Sequence, residues 1–208
     1  MKQYRAVVIG CSRMGAFIDN EWADTAWGIG DGGRTKPYSH AAGYEACSRT
    51  DLVACSDLRP DVMEQVGDRY GIPKERQYTD FRRLFDEIEP EIVSVATQPE
   101  HRAEIVIYAA EHGAKAIYAE KAMASSMQES DAMVEAVERN GVAFNLGTNR
   151  RWAPGYDKMK EVIDSGQLGA LKTMTTYNNS RLFNTGSHNF DLFMRINNDH
   201  PASWVQAH

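Results

Sequence analysis

A six-residue loop near the start of the chain has the residue types that bind phosphate groups. The loop Gly10-Cys11-Ser12-Arg13-Met14-Gly15 follows the apolar run 6–9 and precedes a predicted helix. In this arrangement the first glycine permits a tight turn, the last allows close helix packing, and the helix amides can bind a pyrophosphate. Ser12 replaces the middle glycine of the G-x-G-x-x-G pattern, so its Cβ limits backbone approach. The loop predicts a dinucleotide site, with a ligand-free tight turn as the alternative.

An acidic residue after the second predicted strand fits the same site. Asp57 follows the run 52–56, where a carboxylate can accept hydrogen bonds from an adenosine ribose. It lies further from Gly15 than the usual ~20 residues, and the glycine-rich segment 20–37 accounts for the excess. Arg59 could instead bind a 2′-phosphate, so NAD is favoured and NADP stays possible. A solvated turn aspartate is the alternative for Asp57.

Two residues further along the chain could handle a substrate hydroxyl and its proton. Lys121 follows the predicted strand 116–118, and polar groups beyond the carboxyl ends of parallel strands lie in the ligand crevice. His188 opens a predicted helix, and an imidazole can accept a proton from an alcohol near neutral pH. The alternatives are a surface lysine and a helix-terminal histidine with a structural partner.

The elements that must position these residues alternate between short strands and helices. Strands are predicted at 6–10, 52–56, 92–96, 116–118 and 143–146, and helices at 60–70, 101–112 and 126–139. Ser125-x-x-Gln128 has the pattern of a capping box before the last of these helices. The alternation predicts an α/β fold with a parallel sheet.

Two segments depart from this pattern. Segment 20–37, with Trp22 and Trp27, is too rich in glycine for a regular element and is interpreted as a long inserted loop, either a lid or a packed surface loop. From about residue 150 a predicted helix 154–164, a glycine turn 166–169 and an alternating run 171–177 indicate a second domain.

Composition limits the classes of partner and compartment. With 23 Lys and Arg against 29 Asp and Glu, the net charge of -6 disfavours nucleic acid and anionic membranes. Three cysteines without C-x-x-C spacing predict neither a disulfide framework nor a zinc cluster, and they favour the cytoplasm. No signal-peptide pattern or membrane-spanning run is expected. No metal site is predicted, because His101 and His112 would lie roughly 16 Å apart along a helix.

Taken together, the motifs resemble the Gfo/Idh/MocA oxidoreductases, the family of glucose-fructose oxidoreductase and inositol dehydrogenase. The resemblance is carried in chain order by the loop 10–15, Asp57, Val95-Ala96-Thr97-Gln98-Pro99, Glu120-Lys121, Asn149-Arg150-Arg151-Trp152-x-Pro154, Gly166-x-Leu168-Gly169 and Gly186-x-His188-x-x-Asp191. It implies a Rossmann domain over 1–122, with its last strand and helix extending to about 150. It also implies that 150–208 is the first part of an α/β domain. The open, mainly antiparallel sheet of that domain would form the interface of a homo-oligomer.

The resemblance also implies roles for individual residues. Lys121 would contact the substrate hydroxyl and His188 would take its proton, with Asn184 orienting the imidazole. The cofactor would lie against the loop, Asp57, Arg59 and Glu120-Lys121, with Thr97, Gln98 and Pro99 beside the nicotinamide. Candidate substrate contacts are Arg151, Tyr177, Asn178 and Asp191.

Three positions differ from the family pattern. Ser12 replaces the middle glycine, Ala122 replaces the proline of Glu-Lys-Pro, and Asn184 stands where many family dehydrogenases have aspartate. Asparagine can orient an imidazole, but it cannot stabilise an imidazolium by charge.

These features favour an NAD(P)-dependent oxidoreductase that transfers hydride between nicotinamide and a polyol, sugar or related hydroxy compound. The alternatives are an NAD-dependent glycoside hydrolase of the same fold and a non-catalytic dinucleotide-binding regulator. Members of the resembled family continue well past the Gly-x-His-x-x-Asp helix, so the 208 residues are expected to hold a Rossmann domain and the first part of a second domain.

Overall fold

The computed structural model describes residues 3–21, 36–177 and 185–206. They divide into two units, one formed by 3–21 with 36–147 and the other by 148–177 with 185–206. The expectations for Trp22, Trp27, Asn178 and Asn184 lie outside the described residues.

The first unit is built on a six-stranded parallel sheet. Its strands are β1 (Tyr4–Ile9), β2 (Thr50–Ser56), β3 (Gln77–Tyr78), β4 (Ile92–Val95), β5 (Ala116–Ala119) and β6 (Ala143–Leu146). They are arranged in the order β3-β2-β1-β4-β5-β6, which is the strand order of a Rossmann dinucleotide-binding fold. The predicted α/β fold with a parallel sheet is confirmed. The order reverses between β1 and β4, which is where ligands bind in open sheets of this kind.

Helices connect these strands. They are α1 (Ile18–Glu21), which continues a π-helical segment over Arg13–Phe17, then α2 (His40–Ala46), α3 (Pro60–Tyr70), α4 (Phe81–Ile88), α5 (Pro99–Glu111) and α6 (Met127–Arg139). α3 has the predicted bounds because Pro60 is suited to the first helical position and Gly71, at φ 70°, adopts the left-handed conformation that ends a helix.

The capping box of α6 is displaced by one residue from its prediction. Ser126, rather than Ser125, caps the helix: its hydroxyl accepts a hydrogen bond from Glu129 N at 3.1 Å. The Glu129 carboxylate accepts the Ser126 backbone N–H at 3.1 Å. The carboxylate forms a charge-assisted hydrogen bond that Gln128 could not form.

The core of the first unit lies on both faces of the sheet. Val7 and Ile9 pack on the side of α5 and α6, whereas Val8 packs on the side of α3. All three are at most 2% exposed. The apolar run in β1 is therefore continuous rather than alternating, as expected for a strand covered on both faces.

The second unit contains α7 (Pro154–Asp164), α8 (Ser187–Ile196) and a short 3₁₀ turn over Asn149–Trp152. The alternating run 171–177 and the segment 204–206 form no β-strand. No described residue of this unit supplies a pairing strand, which β hydrogen bonds require. The expected open antiparallel sheet is therefore not shown. Across the described ranges, no helix combines the length and the apolar character that spanning a membrane would need.

Candidate functional site

The glycine loop turns sharply between β1 and the following helical segment. Gly10 has φ 88°, and a Cβ there would lie 2.7 Å from the Ala96 carbonyl carbon. A Cβ on Gly15 would lie 2.0 Å from the Gly10 carbonyl oxygen. Both positions therefore require glycine, the first for its backbone conformation and both for close approach. Ser12, at the middle position, has an exposed side chain.

A cavity of about 500 Å³ opens at the carboxyl ends of β1, β2 and β4. Six residues predicted for cofactor binding line it: Gly10, Ser12, Asp57, Arg59, Thr97 and Gln98. Its volume lies within the range of about 300–1,000 Å³ typical of small-molecule pockets. Sequence reasoning missed the rest of its wall, which consists of Ile9, Ser56, Leu58, Thr79, Phe81, Ala96, His101, Glu104 and Ile105.

Asp57 connects the second strand to the glycine loop. Its Oδ2 accepts the Cys11 backbone N–H at 2.7 Å, and its Oδ1 accepts the Arg59 backbone N–H at 2.9 Å. An ionised carboxylate offers about four acceptor sites, so it can accept ribose hydroxyls in addition to these two amides. Asp57 therefore holds the loop in place and still presents acceptors to the cavity.

Arg59 at the cavity rim is paired within its own turn. Its Nη2 lies 2.6 Å from Asp61 Oδ2, and both side chains are largely exposed. The hydrogen bond with Asp61 raises the pKa of Arg59 and lowers that of Asp61. The Arg59 guanidinium is therefore already paired with a carboxylate of the protein and is not available to a ligand alone.

Four other predicted cofactor residues lie outside the cavity lining. Arg13 and Met14 belong to the π-helical segment, where the exposed Arg13 pairs with Glu21 at 2.7 Å. Pro99 is the first residue of α5, directly after the cavity residue Gln98. Gly15 is buried at the close approach described above.

Glu120 and Lys121 directly follow β5, as predicted, and do not line the cavity either. Glu120 is 6% exposed, whereas Lys121 is half-buried. Glu120 Oε2 accepts the Lys121 backbone N–H at 3.2 Å, and the Lys121–Ala122 peptide bond is cis. The Glu120 carboxylate is thus hydrogen-bonded to the main chain of Lys121.

A buried polar network that the sequence did not reveal supports Glu120. His40 Nε2 lies 3.3 Å from Glu120 Oε1, and His40 Nδ1 lies 2.8 Å from Ser94 Oγ. Ser94 Oγ is also 2.7 Å from the Tyr44 hydroxyl. Burial raises the pKa of Glu120, but the hydrogen bond with His40 and the charges of His40 and Lys121 outweigh it, so the net direction is downward. Burial raises the pKa of Tyr44 to about 12, so this phenol is protonated.

A buried arginine joins the ends of β4 and β5. Arg102 is 1% exposed and donates hydrogen bonds to the carbonyl oxygens of Thr97 and Ala122. Burial lowers its pKa. Thr97 Oγ1 has no hydrogen-bond partner among the described residues. The loop at the cavity and the loop carrying Lys121 are therefore held by one side chain.

In the second unit, two predicted substrate residues pair with each other. Arg151 Nε lies 3.3 Å from Asp191 Oδ1, while Arg151 Nη2 lies 2.7 Å from Asp199 Oδ1. Burial raises the pKa of Asp191, and Arg151 offsets this only in part. His188 is the second residue of α8 and is half-buried. Tyr177 is 96% exposed.

Sequence comparison identifies the group of proteins to which the first unit is similar. A family model described as an oxidoreductase family with an NAD-binding Rossmann fold, GFO_IDH_MocA, matches residues 4–148. The chain is 27% identical over 130 residues to a myo-inositol 2-dehydrogenase of Thermotoga maritima, covering 62% of this chain and 38% of that protein. It is 32% identical over 118 residues to a D-apiose dehydrogenase of Rhizobium rhizogenes, covering 57% of this chain and 33% of that protein.

Structural comparison gives the same fold. An oxidoreductase from Agrobacterium radiobacter, solved with NAD⁺, L-tartaric acid and magnesium, aligns with a TM-score of 0.71 at 23% identity. The alignment covers 94% of this chain and 55% of that one. The chain thus spans 33–38% of the length of the two curated relatives and about half of this structure.

Proposed function

Because the chain belongs to the GFO_IDH_MocA oxidoreductase family, whose model describes an NAD-binding Rossmann fold, we propose that it binds NAD, with NADP as a second possibility. The single observation that supports this most strongly is the cavity that collects Gly10, Ser12, Asp57, Thr97 and Gln98 at the reversal of strand order. We further propose that the protein is an NAD(P)-dependent dehydrogenase for a polyol, sugar or related hydroxy compound.

The residues around the cavity fit the chemical groups of a dinucleotide. Asp57 can accept hydrogen bonds from the adenosine ribose, and the loop that begins at Gly10 can bind the pyrophosphate through backbone amides. Thr97 and Gln98 would contact the nicotinamide, where the Thr97 hydroxyl can bond a ligand amide. When bound, the nicotinamide supplies the hydride acceptor for the redox step.

The proton is handled by side chains of this chain. Lys121 would donate a hydrogen bond to the substrate hydroxyl, and His188 would accept the hydroxyl proton, oriented by Asn184. Arg151, Tyr177, Asn178 and Asp191 would contact the rest of the substrate. These roles rest on the motifs Glu120-Lys121 and Gly186-x-His188-x-x-Asp191.

Calorimetric titration with NAD⁺ and NADP⁺, followed by a polyol and sugar panel monitored at the reduced-nicotinamide absorbance, tests the proposal. Lys121→Ala and His188→Ala are expected to abolish turnover without abolishing cofactor binding. The exposed residues Lys158 and His200 provide matched controls, because their alanine variants should keep turnover. No heat with either dinucleotide, or undiminished turnover in Lys121→Ala, would contradict the proposal.

Location and assembly form a secondary part of the proposal. The free thiols of Cys11, Cys47 and Cys55 are consistent with a reducing cytoplasm. A homo-oligomer is proposed from the family resemblance, and light scattering of the purified chain tests it. A monomeric mass at micromolar concentration would refute that part.

A further inference from the structure

The contact between His40 and Glu120 has a defined hydrogen-bond direction. The Glu120 carboxylate, with its lowered pKa, can only accept, so His40 Nε2 must carry a proton and donate to it. On the other side of the ring, His40 Nδ1 lies 2.8 Å from Ser94 Oγ, which is 2.7 Å from the Tyr44 hydroxyl. The ring is therefore held from both sides, and its Nε2–H points toward Glu120.

The hydrogen bond from His40 to Glu120 matters because both side chains are buried. The side chains of His40 and Glu120 are 1% and 7% exposed. A buried carboxylate that loses a hydrogen-bond donor cannot replace it with water, so its ionised form becomes unfavourable. Gly147 packs closely against the carboxylate, since a Cβ at that position would lie 3.0 Å from its carboxyl carbon.

We infer that His40 is a positioning residue for Lys121: its imidazole holds the Glu120 carboxylate, which in turn accepts the Lys121 backbone N–H. The catalytic consequence rests on the proposed function, in which Lys121 contacts the substrate hydroxyl. The hydrogen-bonded arrangement itself does not depend on that function.

Other charged and titratable groups act on Glu120 from the surrounding elements. Arg102 of α5 and Arg13 of the π-helical segment interact with it electrostatically, as does Tyr118 of β5, whose pKa burial raises to about 12. Lys121 contributes its own charge. These groups stay in place when His40 is replaced, so a change in the pKa of Glu120 reports the loss of the histidine donor.

Two substitutions of His40 separate its two nitrogens. The amide nitrogen of Gln can take the position of Nε2 and keep the bond to Glu120, whereas Asn can keep a bond to Ser94 but does not reach Glu120. Both variants remove the ring and leave a polar amide, and because Asn is also one methylene smaller, the pKa of Glu120 and the Lys121 amide resonance, rather than stability, distinguish a donor role from packing. His40→Gln is therefore the conservative rescue, and His40→Asn is the disruptive variant.

The test uses the full chain and carboxyl and amide NMR. His40→Asn should raise the pKa of Glu120 by about one unit and shift the Lys121 amide resonance, while His40→Gln should resemble the unsubstituted protein. In the dehydrogenase assay, His40→Asn should lower kcat about tenfold and move the acid limb of its pH profile upward, with the Kd for NAD⁺ unchanged. Equal behaviour of the two variants would overturn the inference.

The ¹⁵N resonances of His40 in the unsubstituted protein keep the inference testable if His40→Asn does not fold. A proton on Nε2 is expected, and a ring protonated on Nδ1 alone would contradict the network. If no substrate of the panel is oxidised while the two variants differ at Glu120 and Lys121, the proposed dehydrogenase activity fails and the positioning of Lys121 stands.

Discussion

Glu120 in the first unit is buried and Asp191 in the second is partly buried, yet their pKa values move in opposite directions. Burial raises both, but Glu120 receives a hydrogen bond from His40 and from the Lys121 amide, and the net direction is downward. Asp191 shares Arg151 with Asp199 and has a hydrogen bond with Thr148, but burial and the neighbouring charge of Asp199 leave its pKa raised. A nearby second carboxylate thus offsets part of what the donor and the cation contribute at Asp191, whereas Glu120 is lowered by a hydrogen bond and by nearby positive charge.

The two units also differ in how far their apolar side chains are buried. In the first, the strand residues of β1 and β4 reach complete burial at Val7, Val93 and Val95. In the second, Leu168 is 73% exposed and Trp204 is 77% exposed, and no residue of α7 is buried. The first unit therefore holds its loops on a packed core, and we expect it to dominate the measured stability.

The largest expected effect comes from the core of the first unit. Leu84 on α4 is fully buried, and Leu84→Ala should lower the free energy of unfolding by about 2–5 kcal/mol because it removes packed methyl groups and leaves a cavity. Leu168→Ala in the second unit should change it by no more than about 0.5 kcal/mol. Urea unfolding followed by circular dichroism measures both. Comparable losses of unfolding free energy in the two variants would show that Leu168 is buried by other residues, and they would contradict the difference in packing between the two units.

The opposite pKa directions give the next effect, and they predict opposite pH dependences. The contribution of Glu120 to stability is present above its ordinary pKa and is lost as pH falls through the lowered one, so Glu120→Gln should cost about 1–3 kcal/mol at pH 7 and less in acid. Because Asp191 has a raised pKa, its ionisation opposes folding as pH rises. Asp191→Asn should therefore gain stability relative to the unsubstituted protein between pH 4 and pH 7.

Unfolding free energies of the three proteins at several pH values check this. The same sign of pH dependence in both variants would contradict the difference between the two carboxylates.

The smallest expected effect concerns the cavity rim. Asp61→Asn removes the exposed partner of Arg59 and frees the guanidinium for a 2′-phosphate, so the affinity ratio of NADP⁺ to NAD⁺ should rise a few-fold, about what an exposed ion pair contributes. Paired titrations with the two cofactors measure the ratio. An unchanged ratio would show that Arg59 does not reach the 2′ position.

Local signals made most of the fold predictable. Apolar runs gave five of the six strands of the first unit, and Pro60 with Gly71 gave both ends of α3. β3 has two residues and is too short for any periodicity, and α4 was not predicted as a separate helix. The alternating run 171–177 forms no strand in the described structure, because alternation describes a surface and cannot provide a pairing partner.

The candidate site was predictable only where a motif marks it. The glycine loop and Asp57 were found from their positions after strands, and Gly10 and Ser12 of the loop line one cavity together with Asp57. His40 and Arg102 were missed because their partners are distant in sequence: His40 is 80 residues from Glu120, and Arg102 is 20 residues from Ala122. A buried histidine and a buried arginine of this kind become recognisable only when the sheet brings β4 and β5 together.

Titration of NAD⁺ into the unsubstituted chain, Gly15→Ala and Gly43→Ala tests the central claim, that the first unit binds a dinucleotide through its glycine loop. A Cβ on Gly15 would meet the Gly10 carbonyl at 2.0 Å, whereas one on Gly43 would meet no atom within 4 Å. Saturable binding to the unsubstituted chain and Gly43→Ala, with affinity at least about 100-fold weaker in Gly15→Ala, is expected. Absence of binding in all three proteins, or equal affinity in all three, would contradict the claim.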